Sequence, residues 1–243
     1  MTNKILLTIM LSASMALSVA AQESKPVKPS ISVGSDFASQ YLWRGFVFGK
    51  GPAVQPWGEV SYKGFTVGSW GNYELGGDFK EVDIYAKYTH KDMSLLFTDL
   101  FFPGYAGLNQ HYFTFGNSTT GHCAELGLSY NYSGKFPLSF YAGVIMYGAA
   151  IDTRPADSIQ VNHSTYIELK YNGNLNDLSY NFFIGITPGK SILYQTKGFN
   201  VIHIGAGAQK TIKVTESFSM PLKLTLSTNP VAEKIYLTLV LSL

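Results

Sequence analysis

Three polar side chains recur at every fourth position within residues 35–45, which read SDFASQYLWRG. Asp36 supplies a carboxylate, Gln40 an amide and Arg44 a guanidinium, and such groups can bind or select ions and polar solutes. A spacing of four places side chains on one face of a helix or of a strand. The apolar residues decide between the two, because they all fall on odd positions: Ile31, Val33, Phe37, Tyr41 and Trp43. This period of two predicts a strand with Asp36, Gln40 and Arg44 on its polar face, Arg44 at the rim, and Trp43 meeting lipid near the outer interface.

Charged residues in later segments follow the same alternation. In residues 81–90, EVDIYAKYTH, the charged side chains share one parity and the most apolar ones share the other. If the apolar face meets lipid, a Lys or Arg on that face would cost about 2–4 kcal/mol at the bilayer midplane, so the charges must point inward. The predicted inward set, our candidates for a pore lining, is Asp36, Gln40, Arg44, Glu59, Glu74, Asp83, Lys87, Glu125, Glu168, Lys170 and Lys223.

Two interpretations of these inward charges stay open. The groups can pair with one another and fill the lumen, or they can line a pore and set its charge preference. The orientation of Asp99 is also open, because both parities of residues 93–102 are almost equally apolar.

Catalytic patterns are absent from the sequence. The five histidines (His90, His111, His122, His163 and His203) lie on different segments, and no G-x-S-x-G motif occurs. No His pair has metal-ligand spacing, and Gly205-Ala-Gly207 opens no helix that could hold a phosphate. We therefore expect no enzymatic activity, no metal site and no cofactor.

The composition and the N-terminus indicate an exported protein in a partly apolar environment. Charged residues make up 14% of the chain, against about 25% in an average soluble domain. Residues 1–21 combine Lys4, an apolar run and four small residues, which is typical of a cleaved signal peptide. An uncleaved anchor is the alternative, but the run is shorter than the roughly 20 residues of a spanning helix. Cys123, the single cysteine, has no partner for an internal disulfide.

The region after residue 21 predicts one all-β domain. Residues 22–29 contain two prolines and are expected to form a flexible periplasmic lead-in. Residues 30–243 divide into about twelve alternating segments: 30–44, 53–62, 65–75, 81–90, 93–102, 121–132, 137–148, 161–171, 178–187, 199–210, 219–228 and 234–243. Short connections tend to alternate with long ones, as in outer-membrane barrels. We predict an antiparallel transmembrane β-barrel of about 12 strands, a size that permits a narrow pore without requiring one.

A soluble β-sandwich or lipocalin-like barrel would show similar alternation. Such folds bury the apolar face and wet the polar one. The low charge content, the strand lengths and the alternating connections favour the membrane barrel. Aromatic residues beside the short connections, among them Tyr62, Phe65, Tyr88 and Tyr130, fit a girdle at the membrane interface.

The first sixty residues of this region also resemble a known family. SDFASQYLWRG, the loop GKGPAVQP and the strands FTVGSWGNYE and EVDIYAKYTH are similar to the start of the TorF-like porins, over residues 31–90. The resemblance implies an outer-membrane channel for small solutes and carries over no catalytic residues. The chain departs from many outer-membrane proteins in ending on Leu243 rather than on an aromatic residue, which weakens the signal for assembly.

Together these observations predict a passive outer-membrane channel for small hydrophilic solutes. The expected partners are outer-membrane lipid and lipopolysaccharide, the barrel-assembly machinery during biogenesis, and small solutes. Nucleic acid is not expected, since the chain without residues 1–21 has a net charge of only +1. The alternative is a non-conducting barrel that acts as a surface receptor, an adhesin or an envelope scaffold. The aromatic loop 103–120 could constrict the lumen, bind a partner or extend its strands.

Overall fold

The computed structural model describes residues 27–116, 120–132, 134–148, 151–153 and 161–243. The predicted signal peptide and most of the predicted lead-in lie outside these residues, and residues 27–29 have no regular structure. Within the described ranges, no helix is long and apolar enough to cross a membrane.

Almost all regular structure in these ranges is extended. A single 3₁₀ turn is found at Tyr105–Gly107. The strands are β1 Ser30–Ala38, β2 Tyr41–Trp43, β3 Phe46–Phe48, β4 Ala53–Tyr62, β5 Phe65–Glu74, β6 Lys80–His90, β7 Met93–Phe101, β8 His122–Asn131, β9 Leu138–Gly148, β10 Ile151–Thr153, β11 Val161–His163, β12 Thr165–Leu175, β13 Leu178–Thr187, β14 Lys190–Ser191, β15 Thr196–Lys197, β16 Asn200–Lys213, β17 Ser219–Asn229 and β18 Lys234–Ser242.

Twelve of these strands form a closed antiparallel barrel. Its order is β1-β18-β17-β16-β13-β12-β9-β8-β7-β6-β5-β4, and β4 pairs with β1 again. The other six strands form three small hairpins, β2–β3, β10–β11 and β14–β15, within the connections. The prediction of an all-β, 12-stranded antiparallel barrel is therefore confirmed.

The predicted strand boundaries agree with the barrel strands to within a few residues, except at the first. The segment predicted as one strand over 30–44 leaves the barrel at Ala38. The chain bends at Ser39 and Gln40, and Tyr41–Trp43 joins a separate hairpin.

The two faces of the barrel differ in polarity. On β17, Leu224 and Leu226 point outward, and Leu226 stays 51% exposed in the middle of its strand. Its neighbour on β18, Leu237, is 61% exposed. The opposite parity carries Lys223, Thr225 and Ser227 on the inner face. A soluble barrel would bury such leucines, so an apolar exterior around a polar interior makes this a transmembrane barrel.

The two ends of the barrel also differ. Short turns join strands at one end, where Lys63 and Gly64 both have positive φ, 48° and 86°. This pair of values is that of a type I′ turn, which matches the twist of a β-hairpin. The connections 39–52, 102–121 and 188–199 lie at the other end, which we call the outer end. Exposed aromatic rings surround the end with the short turns. Phe65 and Tyr88 are one such pair, with ring centroids 4.5 Å apart.

A lysine in place of Leu226 tests the outward orientation. Leu226→Lys should lower the free energy of unfolding from lipid vesicles by about 2–4 kcal/mol, because the ammonium group would face hydrocarbon. Thr225→Lys is the matched control on the next residue, whose side chain faces the lumen, and it should cost much less. Equal losses in urea titrations of the two variants would contradict the assigned faces.

Candidate functional site

A hairpin from the outer end folds back into the lumen. Residues 41–48, which we call the plug hairpin, comprise β2, β3 and a turn at Arg44 and Gly45. Both turn residues have positive φ, 50° and 84°. These values match those at Lys63 and Gly64 and are typical of a type I′ turn, whose second position glycine adopts without strain.

The tip of the plug hairpin packs against the barrel wall. A Cβ added to Gly45 would lie 2.2 Å from the backbone oxygen of Ile202 on β16, so this position has room only for glycine. The Gly45 carbonyl accepts a hydrogen bond of 3.1 Å from Asn229 Nδ2 on β17. The hairpin therefore lies inside the barrel with its turn in contact with β16 and β17.

Arg44 joins the hairpin tip to the far wall. Its guanidinium donates two hydrogen bonds to Glu125 on β8, with N–O distances of 2.5 and 2.8 Å. It also donates to the hydroxyls of Tyr194 at 2.8 Å and Tyr141 at 3.0 Å. Since β8 lies five strands from β1 in one direction around the barrel and seven in the other, this contact spans the lumen.

The Arg44–Glu125 pair is buried and its polar groups are satisfied. The exposed fractions of the two side chains are 10% and 5%. The Tyr141 hydroxyl donates to Glu125 in addition to accepting from Arg44. The rings of Trp43 and Tyr166 lie 4.2 and 4.8 Å from the Arg44 guanidinium carbon. A buried ion pair is tolerated when its geometry is good and further hydrogen bonds satisfy the remaining groups, as they do here.

A second connection, residues 188–198, meets the plug hairpin. It contains β14, β15 and Tyr194, whose side chain is fully buried. The Tyr194 ring lies 6.2 Å from Trp43, 6.1 Å from Phe46 and 6.0 Å from Tyr166, measured between ring centroids. Two connections from the outer end thus come together around one guanidinium.

Aromatic side chains fill the lumen around the plug hairpin at the outer end. Tyr41 and Phe48 of the hairpin pack against Phe79 and Phe102. The ring centroids of Phe48, Phe79 and Phe102 lie 5.5 to 6.3 Å from one another. Tyr41 is only 8% exposed. The prediction that Tyr41 and Trp43 face lipid is therefore wrong. Their alternation is that of a strand, but the strand belongs to the plug hairpin and not to the wall.

Two cavities lie in the lumen below the hairpin, toward the short turns. A cavity of about 320 Å³ is lined by Arg44, Asp83, Lys87, Glu125 and other residues of β6–β9. A second cavity, of about 430 Å³, is lined by Ser129, Glu168, Lys170 and their neighbours on β8, β9 and β12.

Several candidate pore-lining residues make contacts in this inner region. Glu59 accepts a hydrogen bond of 3.0 Å from Tyr85. Glu168 accepts from Tyr166 at 2.6 Å and pairs with Lys170 at 2.9 Å. Asp36, Asp83, Lys87 and Lys223 occupy the inner parity of their strands.

Two other candidates fasten the connections. Gln40 donates to the Leu237 carbonyl at 3.1 Å and to Thr238 Oγ1 at 3.0 Å, which ties the base of the plug hairpin to β18. Glu74 accepts backbone N–H groups of Lys50, Gly51 and Phe79 at the outer rim. Arg44, predicted at the rim of the first strand, lies instead at the hairpin tip.

The sequence-based set omitted four residues that complete this site. Alternation along residues 81–90 already turns Glu81 inward, although it was not among the pore-lining candidates. Tyr141 and Tyr166 also lie on inner parities of wall strands, so the same rule could have included them. Tyr194 lies in a connection, and no periodicity indicates where a loop side chain will point.

The aromatic loop has a different arrangement from the plug hairpin. Residues 112–115 of this loop cover the outward-facing surface of the wall, where Asp99 and His122 share the outward parity of β7 and β8. His122 Nδ1 lies 2.8 Å from Asp99 Oδ1, and His122 Nε2 lies 2.6 Å from the Tyr112 carbonyl oxygen. The imidazole ring also stacks on Phe115, with centroids 4.6 Å apart. Asp99 therefore faces outward and is covered by the loop.

A double-mutant cycle tests the ion pair. Arg44→Ala and Glu125→Ala should each lower the free energy of unfolding in detergent by about 3–5 kcal/mol, because each leaves a buried charge unpaired. The double variant should lose no more than either single one, since no unpaired charge remains. Lys213→Ala with Glu216→Ala removes an exposed pair and should show little coupling. Strictly additive losses for Arg44 and Glu125 would contradict the assigned pairing.

A second experiment tests the contact between the loop and the wall. His122→Phe keeps an aromatic ring but removes both ring nitrogens, so the loop should detach more often. Chymotrypsin, which cuts after the aromatic residues of this loop, should then cleave the refolded barrel several times faster there. His90→Phe, an exposed position at a short turn, is the control. Unchanged cleavage in His122→Phe would show that the ring nitrogens do not hold the loop.

Comparisons with known proteins supply little beyond the geometry. No protein-family model and no curated protein matches the chain. Among solved structures, the chain is similar to the translocator domain of the autotransporter NalP from Neisseria meningitidis. The two share 10% sequence identity and a TM-score of 0.35, over 99% of this chain and 96% of that chain. A likeness of this degree says nothing about what this barrel binds or transports.

Proposed function

We propose that this protein is an outer-membrane channel for small hydrophilic solutes, closed by the plug hairpin in the conformation described here. The single observation that carries the proposal is that a lumen with inward charges and cavities is interrupted by a hairpin whose polar link to the far wall is one guanidinium. Solutes would move down their gradient when that hairpin leaves its site. The inward charges would then set the charge preference.

The attachment of the plug hairpin supports a movable element. A wall strand such as β6 is hydrogen-bonded along its length to both neighbours. The plug hairpin has no such ladder to the wall strands in the described part of the chain, and its polar link to the far wall is Arg44. Gly49 and Gly51 follow it, and glycine permits the backbone rotations that a hinge requires.

The outer membrane is the location that fits this barrel. An exposed apolar band, polar lumen and unequal ends are features of outer-membrane barrels. The signal peptide expected at residues 1–21 and the resemblance of residues 31–90 to the TorF-like porins support the same proposal.

A non-conducting barrel is the second candidate, and the aromatic filling of the outer end favours it. Tyr41, Phe48, Phe79 and Phe102 pack as an apolar cluster, and opening a pore would expose these side chains to water. A barrel that never opens would instead present its outer connections as a binding surface.

Planar-bilayer recordings distinguish the two candidates. The wild-type barrel should show rare conductance steps. Arg44→Ala with Glu125→Ala should open far more often, by roughly 100-fold if about 3 kcal/mol of closure is lost, because 1.4 kcal/mol corresponds to a factor of ten. Replacing residues 41–48 with a short Gly-Ser linker should give steady conductance.

The control is the exposed pair Lys213→Ala with Glu216→Ala, which should behave as wild type. Each preparation is first checked for folding by its heat-dependent migration on a denaturing gel. A folded barrel that lacks the plug hairpin and still shows no conductance would overturn the channel and leave the non-conducting barrel.

A further inference from the structure

A row of polar side chains crosses three neighbouring strands at the level of the plug hairpin. Gln55 on β4, Asn72 on β5 and Glu81 on β6 all face the lumen, and their exposed fractions are 8%, 0% and 1%. Asn72 and Glu81 are direct cross-strand partners. Gln55 Nε2 donates a hydrogen bond of 2.9 Å to Asn72 Oδ1. The row therefore ends at Glu81, where a carboxylate is buried.

Glu81 is buried, and although Tyr41 lies close enough to interact with it, its carboxylate has no hydrogen bond of ordinary geometry to any described residue. Neither of its carboxylate oxygens has a hydrogen-bond partner in the described part of the chain, and the same is true of Asp83 Oδ1 and Asn72 Nδ2. Asp83 follows Glu81 by two residues on the same face of β6, and successive same-face residues on a strand are about 7 Å apart. Two carboxylates thus lie side by side in a nearly dry part of the lumen.

The surroundings supply no compensating positive charge. The ionisable groups that act on Glu81 are Asp83 and Tyr41, and those that act on Asp83 include Asp99 and Glu125. Arg44, which lines the same cavity as Asp83, is already paired with Glu125. Buried carboxylates are normally paired, hydrogen-bonded or bound to a metal ion. Asp83 accepts a hydrogen bond from the Phe101 backbone N–H, but within the described ranges Glu81 has neither a positive partner nor a well-formed hydrogen bond, and such a carboxylate is suited to the third.

We propose that Glu81, Asp83 and Asn72 form a binding site for a divalent cation, with Ca²⁺ as its fitting occupant. Two carboxylates would balance its charge, and hard oxygen donors are the ligands that Ca²⁺ prefers. The site has two carboxylates and an amide; among the described residues, no group of three or more His, Cys, Asp or Glu is placed to hold a metal. This inference does not depend on whether the barrel conducts.

The amide oxygen of Asn72 can become a ligand without losing its present hydrogen bond. Turning the amides of Asn72 and Gln55 over together lets Asn72 Nδ2 donate to Gln55 Oε1 and leaves Asn72 Oδ1, on the cross-strand partner of Glu81, free to bind an ion. Oxygen and nitrogen of an amide are assigned from such networks, so both orientations are chemically equivalent choices. The Asn72 nitrogen that has no partner in the present orientation would then have one.

Ca²⁺ fits better than Mg²⁺ because of the ligand geometry. Ca²⁺ accepts six to eight oxygens in flexible arrangements, whereas Mg²⁺ requires a near-ideal octahedron and keeps several waters. Glu81 can supply two oxygens, Asp83 one and Asn72 one. Asp83 also lines the cavity of about 320 Å³ below the hairpin, which offers access for the ion and for water ligands.

The position of the site links the ion to the plug hairpin. Tyr41 of the hairpin is one of the two ionisable groups that act on Glu81. Its ring packs 5.3 Å from Trp70, the cross-strand partner of Asp83. A cation bound here would therefore lie beneath the hairpin and hold it against β5 and β6.

Calcium-dependent stability of the refolded full-length barrel tests the proposal. Thermal unfolding in detergent is compared in EDTA and in CaCl₂, at matched ionic strength. The unfolding midpoint of the wild type should rise by several degrees in CaCl₂. The rise should vanish in Glu81→Gln with Asp83→Asn, and it should persist in Glu59→Gln, a luminal carboxylate that Tyr85 already satisfies.

Glu81→Gln with Asp83→Asn, called the amide variant here, also shows whether a lost calcium effect is caused by a failure to fold. In EDTA it should be at least as stable as the wild type, because it removes two buried negative charges. Terbium, a luminescent substitute for Ca²⁺, should be sensitised by Trp70 in the wild type and lose most of that signal in the amide variant.

Two outcomes would overturn the site. Stabilisation of the wild type by acid, with no effect of CaCl₂, would mean that Glu81 and Asp83 share a proton instead. A calcium effect of equal size in the amide variant would place the ion elsewhere on the barrel.

Discussion

In a bilayer, a backbone N–H or C=O group without a partner costs several kcal/mol, so a sheet that crosses the membrane must close on itself. Every other feature of this chain follows from that closure. Once β1 pairs with both β4 and β18, each wall strand has one face toward lipid and one toward an enclosed lumen. Charged side chains are excluded from the first face and are gathered inside.

Charged side chains inside the barrel also need partners, because connections that fold into the lumen shield these side chains from water. Glu125 shows one solution, since the chain sends Arg44 across the lumen on a hairpin to meet it. Tyr141 and Tyr194 then satisfy the remaining hydrogen-bonding groups of the pair. Glu81 and Asp83 lie on β6, two strands away from Glu125 on β8, and receive no comparable partner from the described residues. They are therefore suited to an ion.

The plug hairpin combines two kinds of contact with opposite consequences. Its aromatic rings pack as closely as a protein core, and that packing keeps the outer end shut. Its polar attachments are few, chiefly Arg44 with Glu125 and Gly45 with Asn229, and few attachments are more easily released than a strand ladder. If the plug hairpin is released from these contacts, the barrel is suited to regulated passage of solutes. If the hairpin is never released, the same contacts make the barrel a stable surface protein.

The sequence by itself determined the barrel. Alternation along β4, β6 and β18 assigned strand boundaries to within a few residues, because the cost of a charge in lipid leaves one choice of face. That rule is local and acts on each strand separately. It therefore also placed Glu59, Asp83, Glu125, Glu168 and Lys170 on the inner parity.

Only the tertiary structure decided which inward groups meet. Residues 41–44 alternate like a wall strand, yet they lie in the lumen, because the chain bends at Ser39 and Gln40 and the hairpin tip finds partners on β8, β16 and β17. Tyr194 arrives from a connection 150 residues away in the chain. Periodicity describes the two faces of one strand, whereas a plug depends on contacts across the barrel, and those exist only after the barrel has closed.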